Sequence, residues 1–164
     1  MIIKTATLVD IPTINQLACL IWPTAYQHVI SANQIAYMLQ LMYSEPALTH
    51  QFENGHQFIL ATDNNVALGF ASYSLLNNET ATTYKLNKLY VLPLQAKKGI
   101  GSLLLNYVCH SCKKMGGTQI ILNVNKKNNS VQFYLKNNFA IAKVEVIDIG
   151  EGFIMDDYVM QKEL

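Results

Sequence analysis

Charge is scarce in this chain and nearly cancels. Only 14% of the 164 residues are charged, 12 Lys+Arg stand against 11 Asp+Glu, and the formal net charge is +1. A nucleic-acid-binding domain needs a basic face to displace counterions from phosphate, so that class is not expected. A disordered chain would be apolar-poor, whereas 51% of this one is hydrophobic. Cysteine is also sparse. Cys19, Cys109 and Cys112 make no disulfide framework. Cys109 and Cys112 form a Cys-x-x-Cys around His110, but no second ligand pair stands at zinc spacing, so no metal is expected. All three cysteines read as thiols packed like small hydrophobes. No apolar run reaches the length of about eighteen residues that a membrane span needs. The first residues, Met1 to Thr7, alternate like a strand and do not resemble a signal peptide, so a cytoplasmic protein is the expectation. Two common phosphate cradles are missing as well. There is no Walker spacing, and the third glycine position of a dinucleotide fingerprint is Leu104.

What remains is a chain sized for one domain, residues 1–164, with a substantial core. Residues 2–9 read as a strand, with Asp10 as helix N-cap and Pro12 in the first turn. Ile11, Ile14, Leu17, Ala18 and Ile21 recur at helical spacing until Trp22-Pro23 ends or kinks the helix. Ser31 caps a second helix, and a short third closes at Asn54-Gly55. Residues 57–62 and 67–76 flank Asp63-Asn64-Asn65 as a hairpin, and Asn77-Asn78-Glu79 makes another turn. Residues 82–91 read as a strand, 101–115 as a helix stopped by Gly116-Gly117, and 118–124 as a strand. A helix over 129–137 and strands over 140–149 and 153–162 complete the chain. The strand-helix-strand through residues 84–124 requires a parallel crossover, and the remaining neighbours suit hairpins. The expected fold is α/β (α+β): a mixed, largely antiparallel sheet of six to seven strands with about four helices. The final strand is free to pair across a two-fold axis, which would give a homodimer.

The stretch from Leu89 to Leu105 carries the chemistry. Leu89-Tyr90-Val91-Leu92 reads as a buried strand stopped by Pro93. Gln95-Ala96-Lys97-Lys98-Gly99-Ile100-Gly101-Ser102 then turns into an apolar helix. A helix start carries unpaired N–H groups and partial positive charge, both of which favour phosphate. Gly99 and Gly101 let a ligand approach the main chain, and Lys97 and Lys98 add charge. On the expected fold Lys113, Lys114, Lys126 and Lys127 would ring the same phosphates, although Lys113 and Lys114 read equally well as solvated helix ends. Downstream lies Asn128-Asn129-Ser130-Val131-Gln132-Phe133-Tyr134, continuing Leu135-Lys136-Asn137-Asn138-Phe139. The chain ends Met155-Asp156-Asp157-Tyr158-Val159-Met160-Gln161-Lys162-Glu163-Leu164.

These three stretches resemble the GCN5-related N-acetyltransferases, over roughly residues 84–164. In that family a Gln/Arg-x-x-Gly-x-Gly/Ala turn holds the pyrophosphate of acetyl-coenzyme A, and an Asn-x-x-Ala-Ile-x-Phe-Tyr-x-x-x-Gly-Phe signature follows. This chain departs from both. Ala96 stands at the first motif position, Gln95 lies one residue early, and Lys97 replaces a frequent extra glycine. Lys127 stands where the leading Asn is expected, Asn128 one place late, and Asn138 replaces Gly. Asn tolerates the left-handed conformation of a helix C-terminus, so that last change is benign.

The resemblance implies a splayed parallel strand pair that admits the pantetheine arm beside Leu89, Tyr90 and Val91. It implies cofactor contacts from Ala96, Lys97, Lys98, Gly99, Ile100, Gly101 and Ser102, with Asn128 and Tyr134 from the second signature. Tyr134 is then the candidate acid for the leaving thiolate, its ordinary pKa near 10 suiting that role. Its bland reading is a core aromatic with one hydrogen bond. Many relatives carry a glutamate base on the cradle strand, but here that strand offers Lys85, Asn87 and Lys88. Glu79 lies in the preceding turn, too far away to serve; His28, Tyr26, Tyr37, Tyr43, Asp156 and Asp157 remain, or water alone. Trp22, Tyr26 and His28 are the candidate acceptor-binding residues. His50 and His56 read as loop or surface groups. The function implied is acetyl transfer to a primary amine, polyamine-like, amino-acid-like or peptide. The alternatives are an acyl-coenzyme A sensor without turnover and a nucleotide-phosphate binder.

Overall fold

The structure, a computed structural model, describes residues 1–76 and 82–164. The elements in chain order are β1 (Ile2–Thr5), α1 (Ile11–Tyr26), α2 (Ala32–Tyr43), α3 (Glu45–Glu53), β2 (Gln57–Asp63) and β3 (Val66–Leu76). They continue as β4 (Thr83–Val91), α4 (Ile100–Lys114), β5 (Gln119–Asn125), α5 (Ser130–Lys136), β6 (Ala140–Gly150) and β7 (Phe153–Glu163). Seven strands form one sheet in the order β1-β2-β3-β4-β5-β7-β6, antiparallel everywhere except between β4 and β5.

Local chemistry explains most boundaries. The hairpin between β2 and β3 turns on Asn64 and Asn65, at φ 47° and 63°, values that asparagine tolerates. Ser31 Oγ accepts the N–H of Gln34 at 3.1 Å and caps α2. Asn138, at φ 64°, ends α5 as a glycine would. Several expectations are corrected. The first strand stops at Thr5, because Leu8–Asp10 forms a short 3-10 turn in which Asp10 accepts the N–H of Thr7 at 2.9 Å. Helix α1 does not end at Trp22-Pro23 but runs through Pro23 to Tyr26. Strand β7 lies between β5 and β6, so the last strand has no free edge for a two-fold pairing. Cys19 is exposed on α1. The turn expected at Asn77-Asn78-Glu79 lies outside the described residues.

The sheet separates two cores. On one face α4 and α5 bury Ile100, Leu104, Leu105, Val108 and Tyr134 against Leu86, Ile120 and Leu122. On the other, α1 to α3 bury Ile14, Trp22, Met38, Tyr43 and Leu48 against Phe58, Leu60 and Phe70. Each such apolar side chain stabilises the fold by about 1.5–3 kcal/mol on burial.

The strand that leads to the cradle is fitted against a glycine. A Cβ on Gly69 would lie 2.6 Å from the Tyr90 carbonyl oxygen and 3.1 Å from Val91 Cα, both backbone atoms that cannot swing away. Gly69→Ala is expected to cost about 1–3 kcal/mol. For a chain of this size that lowers Tm by about 2–12 °C. A thermal melt unchanged from the parent would refute the close fit.

Two irregularities position the site. Ser72 pairs with Lys88 while Tyr73 pairs with Leu86, so Asn87 is an extra residue and β4 carries a bulge. The pairing of β4 with β5 stops at Leu86 and Leu122, beyond which the two strands diverge. Residues 87–91 therefore present main-chain groups with no partner on the β5 side.

Candidate active site

The end of β4 becomes a cradle in three steps. Pro93–Gln95 forms a 3-10 turn that removes the chain from the sheet. Lys97 then adopts φ 64° and Gly99 φ 82°, which aims the backbone into α4. A non-glycine residue in that region costs about 1–2 kcal/mol, so Lys97 holds a strained position that glycine would occupy freely. The N–H groups of Gly99, Ile100, Gly101 and Ser102 find no acceptor within the described residues. Four aligned donors at the positive end of a fifteen-residue helix suit a diphosphate.

The lysines divide. Lys97 lines the cavity beside the cradle. Lys98 turns aside and donates to Gln95 Oε1 at 2.9 Å. Lys113 and Lys114 sit in the last turn of α4, about 20 Å along the helix from the cradle, so they do not ring its phosphates. Lys126 pairs with Asp156, and neither Lys126 nor Lys127 lines the cavity.

A single cavity of about 810 Å³ joins the cradle to the opposite face of the sheet. It begins at Ala96, Lys97, Gly99, Ile100, Gly101 and Ser102 and passes Leu89, Tyr90 and Val91 of β4. Asn123, Val124 and Asn125 of β5 line the other side of the gap. The divergence of the two strands is what opens this passage, and it leaves room for an extended chain to hydrogen-bond to β4.

The turn before α5 and the helix itself each bring one polar group to the gap. Asn128 Oδ1 accepts the N–H of Ser130 at 2.8 Å, which fixes the side chain and leaves its NH2 group for a ligand. Tyr134 is buried between Phe133 and Phe139, edge to face with both, yet its hydroxyl bonds to no described residue and the ring lines the cavity. The bland reading, a core tyrosine with one satisfied hydrogen bond, does not describe it. Burial, with Tyr26 nearby, pushes its phenol well above the ordinary tyrosine range. Tyr134 is therefore a neutral donor, and the value near 10 expected from the residue type does not hold.

Beyond the gap the acidic and basic groups stand on different strands. Asp157 of β7 lines the cavity and is only 5% exposed. The nearby Asn123 amide donates to Glu145 Oε2 at 2.9 Å and also lies close enough to favour the charged form of Asp157. Burial raises its pKa to about 6, helped by Asp156 and Glu145 and opposed by Lys85. Lys85 and Lys88 of β4 stand on the same face. His56, in the loop between α3 and β2, also lines the cavity and is half-buried; burial, with Lys88 nearby, lowers its pKa.

Helices α1 and α2 close the chamber. Trp22, Tyr26 and Tyr43 line it, and Tyr26 and Tyr90 share a hydrogen bond at 3.1 Å. Tyr37 is not part of the lining, since its hydroxyl donates to the Ile149 carbonyl at 2.6 Å and ties α2 to β6. His28 is exposed in the turn after α1 and does not reach the cavity. Cys112 is buried, its thiol pushed up to about 12, so the Cys-x-x-Cys pair is poorly suited to nucleophilic chemistry. Among the described residues no helix is long and apolar enough to cross a membrane.

Comparison with known proteins agrees with this geometry. A family model described as an acetyltransferase (GNAT) domain matches residues 26–160. A spermidine N(1)-acetyltransferase of Thermoplasma acidophilum is 28% identical over 160 residues, covering 94% of each chain. The crystal structure of a PaiA N-acetyltransferase from Thermoplasma acidophilum in complex with coenzyme A aligns over 100% of both chains, with TM-score 0.81 and 26% identity. A GCN5-related N-acetyltransferase of Rhodopseudomonas palustris, 16% identical, shares the fold with TM-score 0.83 over 99% of this chain and 95% of its own. The chain belongs to the GNAT family of acetyltransferases, enzymes whose acetyl donor is acetyl-coenzyme A.

Proposed function

We propose that this protein moves the acetyl group of acetyl-coenzyme A directly to a primary amine, both substrates being held in one ternary complex. The observation that carries this is the continuous cavity from the free N–H groups of α4, through the gap between β4 and β5, to Tyr134 and Asp157. The donor supplies an activated thioester carbonyl. The α4 N-terminus and Lys97 hold its diphosphate, and the main chain at Leu89 to Val91 with Asn128 holds its pantetheine arm. Asp157 receives the incoming ammonium and takes a proton from it, which a carboxylate with a raised pKa does better than an ordinary one. Tyr134 donates a hydrogen bond to the sulfur as the C–S bond breaks, and the remaining proton that the nitrogen gives up on becoming an amide goes to the departing thiolate. Holding amine and carbonyl side by side supplies much of the remaining acceleration.

The acceptor is an amine of a small molecule or peptide, and the named activity of the Thermoplasma relative supports an amine substrate. The lack of an acid on β4 favours a sensor without turnover. Asp157, offered from β7, weakens that argument.

The test is calorimetric titration with acetyl-coenzyme A, with ATP and NAD as controls. Selective binding in the micromolar range is expected, and its absence would overturn the proposal. Gly101→Asp sharpens the measurement. The nearest atoms to a Cβ there are ring carbons of Phe133 from 3.6 Å and Leu89 Cδ2 at 3.8 Å, ordinary contacts, so a Cβ is accommodated. A carboxylate in the first turn favours the helix dipole but repels a diphosphate. Thermal stability should hold while acetyl-coenzyme A affinity falls by at least about tenfold.

A further inference from the structure

Lys88 is a buried cation in the acceptor chamber that the chemistry above does not use. It is 8% exposed and lines the cavity. The bulge at Asn87 turns it onto the α1–α3 face, where its ammonium lies 5.1 Å from the Tyr43 ring and 5.9 Å from the Phe58 ring. It donates one hydrogen bond, to Gln51 Oε1 at 2.6 Å. Gln51 is itself fixed, since its Nε2 donates to the Met42 carbonyl at 2.8 Å. Among the described residues no carboxylate lies within 4.0 Å of the Lys88 ammonium.

A buried ammonium without a counter-ion is costly, and a methionine of similar length would pack here more cheaply. Burial, with the Lys85 charge adding to it, lowers its pKa to about 8, so most of it still carries charge at pH 7. Lys85 and half-buried His56 line the same wall. The acids of this face, Asp157 and Glu145, stand on β7 and β6. A polyamine entering the chamber would set its second cation against Lys85 and Lys88. An acceptor with one amine and one carboxylate would match both walls.

We propose that Lys88 binds a carboxylate on the acceptor, so that the acceptor is a free amino acid or a similar small amino-carboxylate. The inference rests on the acetyltransferase reading of the same cavity and narrows its substrate class.

The experiment measures thiol release from acetyl-coenzyme A with the common amino acids, their carboxamides and spermidine, alongside calorimetry of acetyl-coenzyme A binding. At least one amino acid should exceed both its own amide and spermidine by about tenfold or more in kcat/KM, since neither can form the charge-assisted pair with Lys88. Lys88→Met should bring the acid-to-amide ratio close to one, chiefly through KM. Lys88→Gln, a second variant of similar size, should do the same. Spermidine surpassing every amino acid, or a ratio that survives both substitutions, would overturn the assignment of Lys88 and leave the acetyltransferase reading intact. Failure of the parent protein to bind acetyl-coenzyme A would overturn both.

Discussion

Tyr134→Phe is expected to lower kcat by about a hundredfold or more while acetyl-coenzyme A binds as before. The reason lies in what the hydroxyl lacks. Tyr134 is buried, its ring packs against Phe133 and Phe139, and its oxygen has no partner among the described residues. Phenylalanine keeps the ring and deletes only the unpaired hydroxyl. Removing a buried polar group that bonds to nothing should leave the melting temperature unchanged or raise it. A purely structural tyrosine predicts the reverse, a lower melting temperature with turnover little affected. Because burial holds the phenol neutral well past physiological pH, the lost contribution is a hydrogen bond to the departing sulfur. The defect should therefore be nearly constant with pH between about 6 and 9. Turnover retained in the variant would remove Tyr134 from the chemistry.

The cradle was legible in the residues because its conformation depends on glycine. Gly99 sits at φ 82° and opens α4, as its place between a stopped strand and an apolar helix suggests. The crossover through α4 was equally legible, since a parallel pair can be joined only by a long connection. The polar half of the site was not. Lys85 and Lys88 are three residues apart, which puts them on opposite faces of a regular strand. The bulge at Asn87 brings them to one face, and a bulge is set by the register against β3, which no local composition reveals. Its trace in the sequence is the pair Leu86 and Leu89, also three apart and both packed on the α4 side. Asp157 was ambiguous for a related reason. Next to Asp156 at a strand end it reads as solvation, and only the placement of β7 beside β5 turns Asp157 toward the cavity and leaves Asp156 paired with Lys126. Lys113 and Lys114 mislead in the opposite way, because their charge lies near the motif in sequence but the length of α4 separates them from it.

Asp157→Asn is expected to lower kcat/KM by about a hundredfold or more and to remove the lower limb of the pH profile. The groups around Asp157 set the sign. Burial is the largest influence and raises its pKa, and the charges of Asp156 on its own strand and Glu145 on β6 raise it further. Lys85 on β4 and the Asn123 amide on β5 act the other way, while Tyr26 on α1 is neutral. The result is a carboxylate that titrates at about 6 in the folded protein. Activity should rise as pH passes through that value and Asp157 becomes a base, and a second rise at higher pH should report the amine itself. Stability should move in the opposite direction. The folded pKa lies above the unfolded one, so the folded state binds the extra proton between about 4 and 6. Charged Asp157 thus destabilises the fold above pH 6. The neutral amide of the Asp157→Asn variant should relieve that penalty, so it melts no lower than the parent at pH 8. The His56 imidazole also lines the chamber, its pKa lowered by burial, and is the competing source of a lower limb. A limb that persists in Asp157→Asn but vanishes in His56→Gln would transfer the role of base to His56. Loss of the limb together with the activity in Asp157→Asn, while the fold is kept, is the outcome expected if β7 supplies the carboxylate that β4 lacks.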